Sequence, residues 1–235
     1  MRFFAAIGIA LLLAGCASSG TGRPTDRERF QRIAGKPVAN PSEIVKAELA
    51  FARLAREEGQ WTAFRETATE DAVMFVPNLT NAQQWLKGKA DPKEAVDWQP
   101  HKITMSCDGS MAVSTGAWQA ANGTTGKFYT IWQKQNVEDR RVRGKEAEWK
   151  WVFDHGFAVD APLTEPDFVE TEVADCRGEP SIIIGPPGTR FGSSVDRTFQ
   201  WFASQRSGER TLSIRMWDGE NSIVKVSENF GPASK

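Results

Sequence analysis

Proton transfer near neutral pH suits an imidazole group, or a carboxyl group whose pKa has been raised, and this sequence offers a small set of both. Asp154 is the leading candidate, because it directly follows the apolar residues 151–153 and burial raises the pKa of a carboxyl group. Tyr129, the only tyrosine, could donate a hydrogen bond to a developing oxyanion. The other polar groups that could reach a cavity are Asp71, Asp97, His101 and His155.

Each of these groups also has an ordinary structural explanation. Asp71 follows a predicted helix and suits a turn or cap. Asp97 and His101 flank a loop-like stretch, and we expect them to be solvated. Asp154 could instead bond the backbone or a neighbouring tryptophan at a strand end. Asp154 and His155 are adjacent in a predicted strand, so they point to opposite faces and no dyad is predicted.

Several classes of protein are disfavoured by what the sequence lacks. Two histidines give no H-E-x-x-H spacing, and C-x-x-C, G-x-S-x-G and Walker motifs are absent, so we expect no metal and no cofactor. The 29 Lys and Arg residues balance 30 Asp and Glu residues, for a net charge of −1. That balance predicts no nucleic-acid partner.

The spacing of apolar residues predicts helices first and strands afterwards. Asn40-Pro41-Ser42-Glu43 is typical of a helix start, and Gly59 ends this helix. A second helix closes before Asp71, and a strand at 72–76 and a short helix through Trp85 to Gly88 follow. Strands near 101–107, 111–119, 126–134 and 147–155 then form an antiparallel meander. This order predicts an α+β fold, with helices on one face of a curved antiparallel sheet.

The C-terminal part has a different pattern. Five prolines make residues 158–190 an extended connection. Within residues 191–235, strands near 197–206, 210–217 and 222–228 predict a small antiparallel β-meander. A meander this small buries too little surface to stand alone, so we expect it to dock on the preceding domain.

Several motifs of residues 40–157 resemble the nuclear transport factor 2-like superfamily, and in particular its SnoaL-like members. They are EGQWTAF at 58–64, EDAVMFVP at 70–77, WQP at 98–100, STGAW at 114–118, GKFYTIW at 126–132 and WKWVFDHG at 149–156. The resemblance implies a ketosteroid-isomerase-like cone, in which a bent sheet wraps a long helix around an apolar cavity. The family includes isomerases, dehydratases and hydrolases besides non-catalytic binding proteins, so the fold does not select a function.

Nine tryptophans suggest a wide apolar interior or a ligand pocket. We expect the cavity to be lined by Trp61, Phe64, Met74, Trp118, Trp132 and Trp151. Which face of each strand turns inward stays open, because a one-residue slip reverses every side chain.

The N-terminus has the features of a bacterial lipoprotein. Arg2 precedes an apolar run at 3–13, which is too short to span a bilayer but suits a signal peptide. Leu13-Ala14-Gly15-Cys16 resembles the lipobox, which implies a removable signal at 1–15 and a lipidated Cys16. Residues 16–39 are then a flexible tether. Ala17, by resemblance to Gram-negative lipoproteins, favours the outer membrane, facing the periplasm.

Cys107 and Cys176 are the remaining cysteines. They either pair in the oxidising periplasm or stay as buried thiols, because one sequence fixes no distance between them. Two classes of function also stay open. The first is an envelope protein that binds a small apolar ligand or an envelope partner, with a homodimer as a further arrangement. The alternative is a small-molecule isomerase, dehydratase or hydrolase that uses a buried carboxylate such as Asp154.

Overall fold

The structure is a computed structural model that describes residues 39–135 and 148–232. The signal at 1–15, Cys16, the tether up to residue 38 and most of the charged loop near 135–146 lie outside the described residues. None of the helices in the described ranges is both long enough and apolar enough to span a bilayer.

The first helix, α1 (Pro41–Glu58), begins and ends as its sequence predicts. The Asn40 side chain accepts a hydrogen bond from the backbone N–H of Ser42 at 3.3 Å, which satisfies one free donor of the first turn. Gly59 ends the helix with a φ of +112°, a conformation that glycine adopts without strain. A second helix, α2 (Gln60–Thr67), follows immediately, and the short helix α3 (Ala82–Leu86) comes later.

Strands make up most of the remaining described chain. Their bounds are β1 (Ala68–Phe75), β2 (Leu79–Asn81), β3 (Asp97–Met105), β4 (Met111–Gln119), β5 (Thr125–Lys134), β6 (Trp149–Ala158), β7 (Glu170–Val173), β8 (Thr189–Ser193), β9 (Phe199–Arg206), β10 (Glu209–Trp217) and β11 (Ser222–Pro232). Seven of them form the main sheet, in the order β2-β1-β6-β5-β4-β3-β7, and four form the second sheet, in the order β11-β10-β9-β8. The α+β class and the antiparallel C-terminal sheet are therefore confirmed.

The main sheet is mixed, and the prediction of a purely antiparallel sheet is wrong. Strand β1 runs parallel to β6, and β3 runs parallel to β7. Alternation of apolar residues predicts strands but carries no information on the direction of a neighbour that is distant in sequence. Strand β7 lies within the proline-rich connection and at the main sheet's edge, and β8 begins at the end of that connection and belongs to the second sheet.

Both faces of the main sheet are covered. Helices α1 and α2 pack on one face, where Phe51 and Phe64 meet Met74, Trp132 and Trp151. The second sheet packs on the opposite face, which carries the apolar side chains Val73, Phe75, Val113, Tyr129, Ile131 and Phe153. The described chain is thus three layers, with the main sheet in the middle.

Two hairpin turns join the sheets at one end. The backbone N–H of Asp108, between β3 and β4, donates to the Asp196 carboxylate at 2.9 Å. The backbone N–H of Asp196, between β8 and β9, donates to the Asp108 carboxylate at the same distance. In the first turn, Cys107 forms a disulfide with Cys176, and their Cα atoms lie 5.3 Å apart. The second sheet is therefore attached to the main sheet by polar as well as apolar contacts.

Candidate functional site

A cavity of about 250 Å³ lies between the helices and the main sheet. Its wall is mainly aromatic and includes four of the residues predicted to line it: Trp61, Phe64, Met74 and Trp118. The other aromatic side chains of the wall are Phe51, Trp98 and Phe128. Such a wall suits an apolar or aromatic molecule.

The aromatic rings at the helix side of the cavity hold one another in place. The Phe51 ring centroid lies 4.8 Å from those of Phe64 and Trp98, and Trp61 meets Phe64 edge-on at 5.6 Å. Tilted and edge-on contacts at these distances are favourable for aromatic pairs. The wall is therefore largely formed before any ligand enters.

Trp132 and Trp151, the other two predicted lining residues, do not belong to this wall. Both are fully buried. The indole N–H of Trp132 donates to Glu48 at 2.8 Å, and that of Trp151 donates to the Thr67 hydroxyl at 3.0 Å. They lie on the same face of the sheet as the cavity but deeper in the core. Alternation along a strand shows which residues share a face but not how deeply each is buried.

Asp154 reaches the cavity because β6 contains a bulge. Trp151 pairs with Trp132, and Phe153 pairs with Ile131, so Val152 is the extra residue. The bulge reverses the alternation, and Asp154 then faces the helices while Phe153 faces the second sheet. Without it, residues 151 and 154 would point to opposite faces.

The Asp154 carboxyl is 7 % exposed and forms part of the cavity wall. Its hydrogen-bond partner among the described residues is the Thr130 hydroxyl, which donates at 2.8 Å. Burial, together with the nearby charge of Glu48, raises the pKa of Asp154 to about 7, and the hydrogen bond from Thr130 opposes that rise. Near neutral pH this carboxyl can therefore either give up or accept a proton.

Glu48 is a functional candidate that the sequence reasoning missed. It lies on α1, is completely buried, and accepts hydrogen bonds from three strands of the main sheet. One oxygen accepts from the Ser114 hydroxyl and the Trp132 indole, and the other accepts from the Trp98 indole at 3.1 Å. Burial raises the pKa of Glu48, although these donors oppose the rise. A glutamate at helical spacing between Ile44 and the apolar residues that follow was the available signal.

Tyr129 lies on the opposite face of the main sheet, so it is not placed to donate into the cavity with Asp154. Its hydroxyl donates to the carboxylate of Glu228 on β11, and Lys127 pairs with the same carboxylate at 3.2 Å. Burial and that carboxylate raise the pKa of Tyr129 further above its usual value. Tyr129 was expected to point inward, and its strand register shows why it does not: it stands opposite His155 and not opposite Asp154.

His155 is buried, and its ring meets the ring of Phe230 at 4.4 Å, on the second-sheet side. Burial lowers its pKa to about 4, with a further contribution from the charge of Arg210, so the imidazole is neutral at physiological pH. Asp154 and His155 form no dyad, as the alternation of a strand predicts.

The three remaining candidates are not brought together with Asp154. Asp71 is exposed and accepts from the Thr69 hydroxyl at 2.9 Å, and Asp97 is exposed and pairs with Arg56 at 3.6 Å. His101 is half-buried within β3, and its Nε2 atom is buried without a partner in the described structure. The stretch 98–100, expected to be loop-like, is therefore part of β3, and Asp97 and His101 lie in the same strand.

In residues 39–135 and 148–232, no group of three or more His, Cys, Asp or Glu side chains is arranged to hold a metal ion.

The structure thus offers an aromatic cavity with one titratable carboxyl in its wall and a second buried carboxyl behind it. Comparison of the chain with known proteins gives no match to a family model and none to a curated protein.

Proposed function

We propose that this chain is a lipid-anchored envelope protein that binds a small apolar molecule in the cavity of a nuclear transport factor 2-like cone. The observation that carries the proposal is the 250 Å³ cavity with its preformed aromatic wall. Transfer of apolar surface from water into such a wall contributes roughly 25 cal/mol per Å². A cavity of this size, which is partly open to solvent, suits a small ligand better than an envelope protein as the occupant.

The cone itself is part of the proposal. Two observations support it: the strand order β2-β1-β6-β5-β4-β3 with helices on one face, and register shifts in the pairing of β3 with β4 and of β5 with β6. Bulges bend strands and increase their twist, which is what a sheet wrapped around a helix needs.

Ligand binding is tested by filling the cavity. Val76 contributes to the wall and Val224 is an exposed valine on β11, so Val76→Phe and Val224→Phe make the same change inside and outside the cavity. We expect naphthalene to bind the wild type and Val224→Phe equally, and Val76→Phe at least about tenfold more weakly. Tryptophan fluorescence titration measures the affinity. Equal binding by all three proteins, or none, contradicts the proposal.

The anchor is tested at Cys16. Intact-mass measurement of the membrane fraction should show a chain that starts at Cys16 and carries acyl mass, and Cys16→Ala should move the protein to the soluble fraction. A chain cut elsewhere, with an unmodified Cys16, would refute lipidation.

A second candidate function is supported by Asp154 alone. A carboxyl whose pKa is about 7 in an apolar cavity is suited to general acid or base catalysis of an isomerisation, dehydration or hydrolysis. Turnover of a bound carbonyl compound that disappears in Asp154→Asn but persists in Asp71→Asn is the expected result for an enzyme. Binding without turnover of such compounds favours the binding protein.

A further inference from the structure

The chemistry of the cavity wall distinguishes between neutral and charged ligands. Six aromatic side chains of the helices and the main sheet surround it: Phe51, Trp61, Phe64, Trp98, Trp118 and Phe128. The three tryptophans are only half-buried, so they keep surface available to a ligand. The face of an aromatic ring carries partial negative charge and attracts an organic cation.

No residue of the described wall is a lysine or an arginine. The ionisable side chain that faces the helices there is Asp154, whose partner among the described residues is the neutral hydroxyl of Thr130. A buried carboxylate without a positive partner costs free energy, and a cation placed beside it removes much of that cost.

Glu48 has a different position. Its two oxygens already accept three hydrogen bonds, from Ser114, Trp98 and Trp132. Asp154 is therefore the carboxyl available to pair with a ligand.

From this combination of aromatic rings with an unpaired buried carboxyl, we propose that the ligand is an organic cation, a small amine or quaternary ammonium compound. The inference rests on the proposed function, because it needs the same cavity to bind a small molecule. The ammonium group lies between the tryptophan faces and the Asp154 carboxylate, and the apolar part of the ligand contacts the remaining wall.

A pair of isosteric probes tests the charge separately from the shape. Phenyltrimethylammonium and tert-butylbenzene differ by a positively charged nitrogen in place of a carbon, and both are small enough to be tried in a cavity of about 250 Å³. Affinities are measured by tryptophan fluorescence with the full-length protein in detergent. We expect the cation to bind the wild type at least about tenfold more tightly than the neutral probe.

Two variants locate the preference. Asp154→Asn keeps the size of the side chain and should reduce the preference for the cation to about equal binding. Asp71→Asn, the same change at an exposed aspartate outside this wall, should keep it. If Asp154→Asn fails to fold, Trp61→Leu replaces it, since loss of one ring should weaken the cation more than the neutral probe.

The outcomes separate the two proposals. Equal or tighter binding of tert-butylbenzene by the wild type overturns the cation inference and leaves the binding function standing. A cation preference that survives Asp154→Asn also overturns it, because the charge is then recognised elsewhere. If neither probe binds, the cation inference fails, and the naphthalene titration decides separately whether the proposed function stands.

Discussion

At the scale of single residues, Glu48 connects α1 to β3, β4 and β5 through one carboxyl group. Its acceptors satisfy two indole N–H groups and one hydroxyl that are otherwise enclosed in the core. A buried donor that loses its acceptor costs about 1–3 kcal/mol. Trp98 is a partner of Glu48 and also part of the cavity wall, so the Glu48 carboxyl helps to hold that wall in place.

We predict that Glu48→Leu lowers the free energy of unfolding by about 3 kcal/mol, since the Trp98 indole loses its acceptor. The Trp132 indole and the Ser114 hydroxyl each keep one longer hydrogen bond, at 3.2 and 3.3 Å. Glu48→Gln keeps one acceptor oxygen and should lose about half as much. Urea denaturation followed by tryptophan fluorescence measures both. Glu57→Leu, at an exposed position of the same helix, is the control. A Glu48→Leu protein as stable as this control would show that the hydrogen bonds contribute little.

Asp154 should make stability depend on pH in an unusual direction. Its pKa in the folded protein is about 7, above the ordinary value of 3.8, so the folded state binds the proton more tightly. The contribution of Asp154 to stability is therefore complete below about pH 4 and is lost as the pH rises through 7, by roughly 4 kcal/mol. His155, with a pKa lowered to about 4, acts in the opposite sense and loses its contribution as the pH falls from 6.5.

The comparison with Asp154→Asn isolates this effect. As the pH rises from about 4 to 8, the free energy of unfolding of the variant should increase by about 4 kcal/mol relative to that of the wild type. Only the wild type has to ionise a buried carboxyl over this range. Urea denaturation at several pH values gives the difference. A difference that is constant with pH would mean that Asp154 ionises at its ordinary pKa.

Sequence reasoning reached Asp154 and missed Glu48 for a physical reason. An aspartate that follows an apolar run is visible in a strand, where each residue has one of two faces. A glutamate within α1 looks like one more polar residue of an amphipathic helix, and its burial depends on donors from three strands distant in sequence. Such a network becomes visible only when the strands are assembled.

At the scale of secondary-structure elements, helix ends and most strands follow from local patterns. The caps of α1 were predictable from Asn40, Pro41 and Gly59, and β4 has the predicted bounds, Met111–Gln119. The bulge at Val152 was not predictable, because an extra residue in one strand is defined only by its partner strand. That single residue decides that Asp154, and not Phe153, faces the helices.

Strands β7 and β8 were not predicted from the sequence. The prolines around them indicated an extended connection, yet β7 lies at the edge of the main sheet, where one side of the strand needs no partner. Strand β7 pairs in parallel with β3, which is distant in sequence, so no local pattern predicts this pairing.

The Cys107–Cys176 disulfide is an element-scale feature, since it ties the β3–β4 turn to the chain that follows β7. It spans 69 residues of sequence, and closing a loop of that length stabilises the fold by on the order of 4 kcal/mol in the chain-entropy model. We predict that Cys107→Ser combined with Cys176→Ser lowers stability by that order, measured by urea denaturation in a Cys16→Ser background.

Two checks accompany this prediction. A reducing agent should destabilise the protein that keeps both cysteines and leave the double variant unchanged. Thiol counting under denaturing, non-reducing conditions should find no reactive thiol in the Cys16→Ser protein. Two reactive thiols would mean that the cysteines are unpaired and that hydrogen bonds, such as those of Asp108 and Asp196, hold the turn without a disulfide.

At the scale of the whole molecule, the second sheet adds a third layer to the two layers formed by the helices and the main sheet. The face of the main sheet that would otherwise meet solvent is covered by Phe199, Trp201, Leu212 and Ile214. Polar contacts such as Tyr129 with Glu228 add to this interface. The wall of the cavity and the second sheet thus lie on opposite faces of one set of strands.

Removal of the second sheet should therefore affect the cavity indirectly, through the strands that carry it. We predict that a chain ended after Asp160 does not fold stably, because it exposes the buried side chains Val113, Ile131 and Phe153. Exposure of each costs about 1.5–3 kcal/mol, and together they approach the whole stability of a typical domain. Circular dichroism melting, compared with a chain ended after residue 232, measures the loss. A shortened protein that melts at the same temperature would show that the first 160 residues fold independently. If that protein also binds naphthalene, the helices and the main sheet are sufficient to form the cavity.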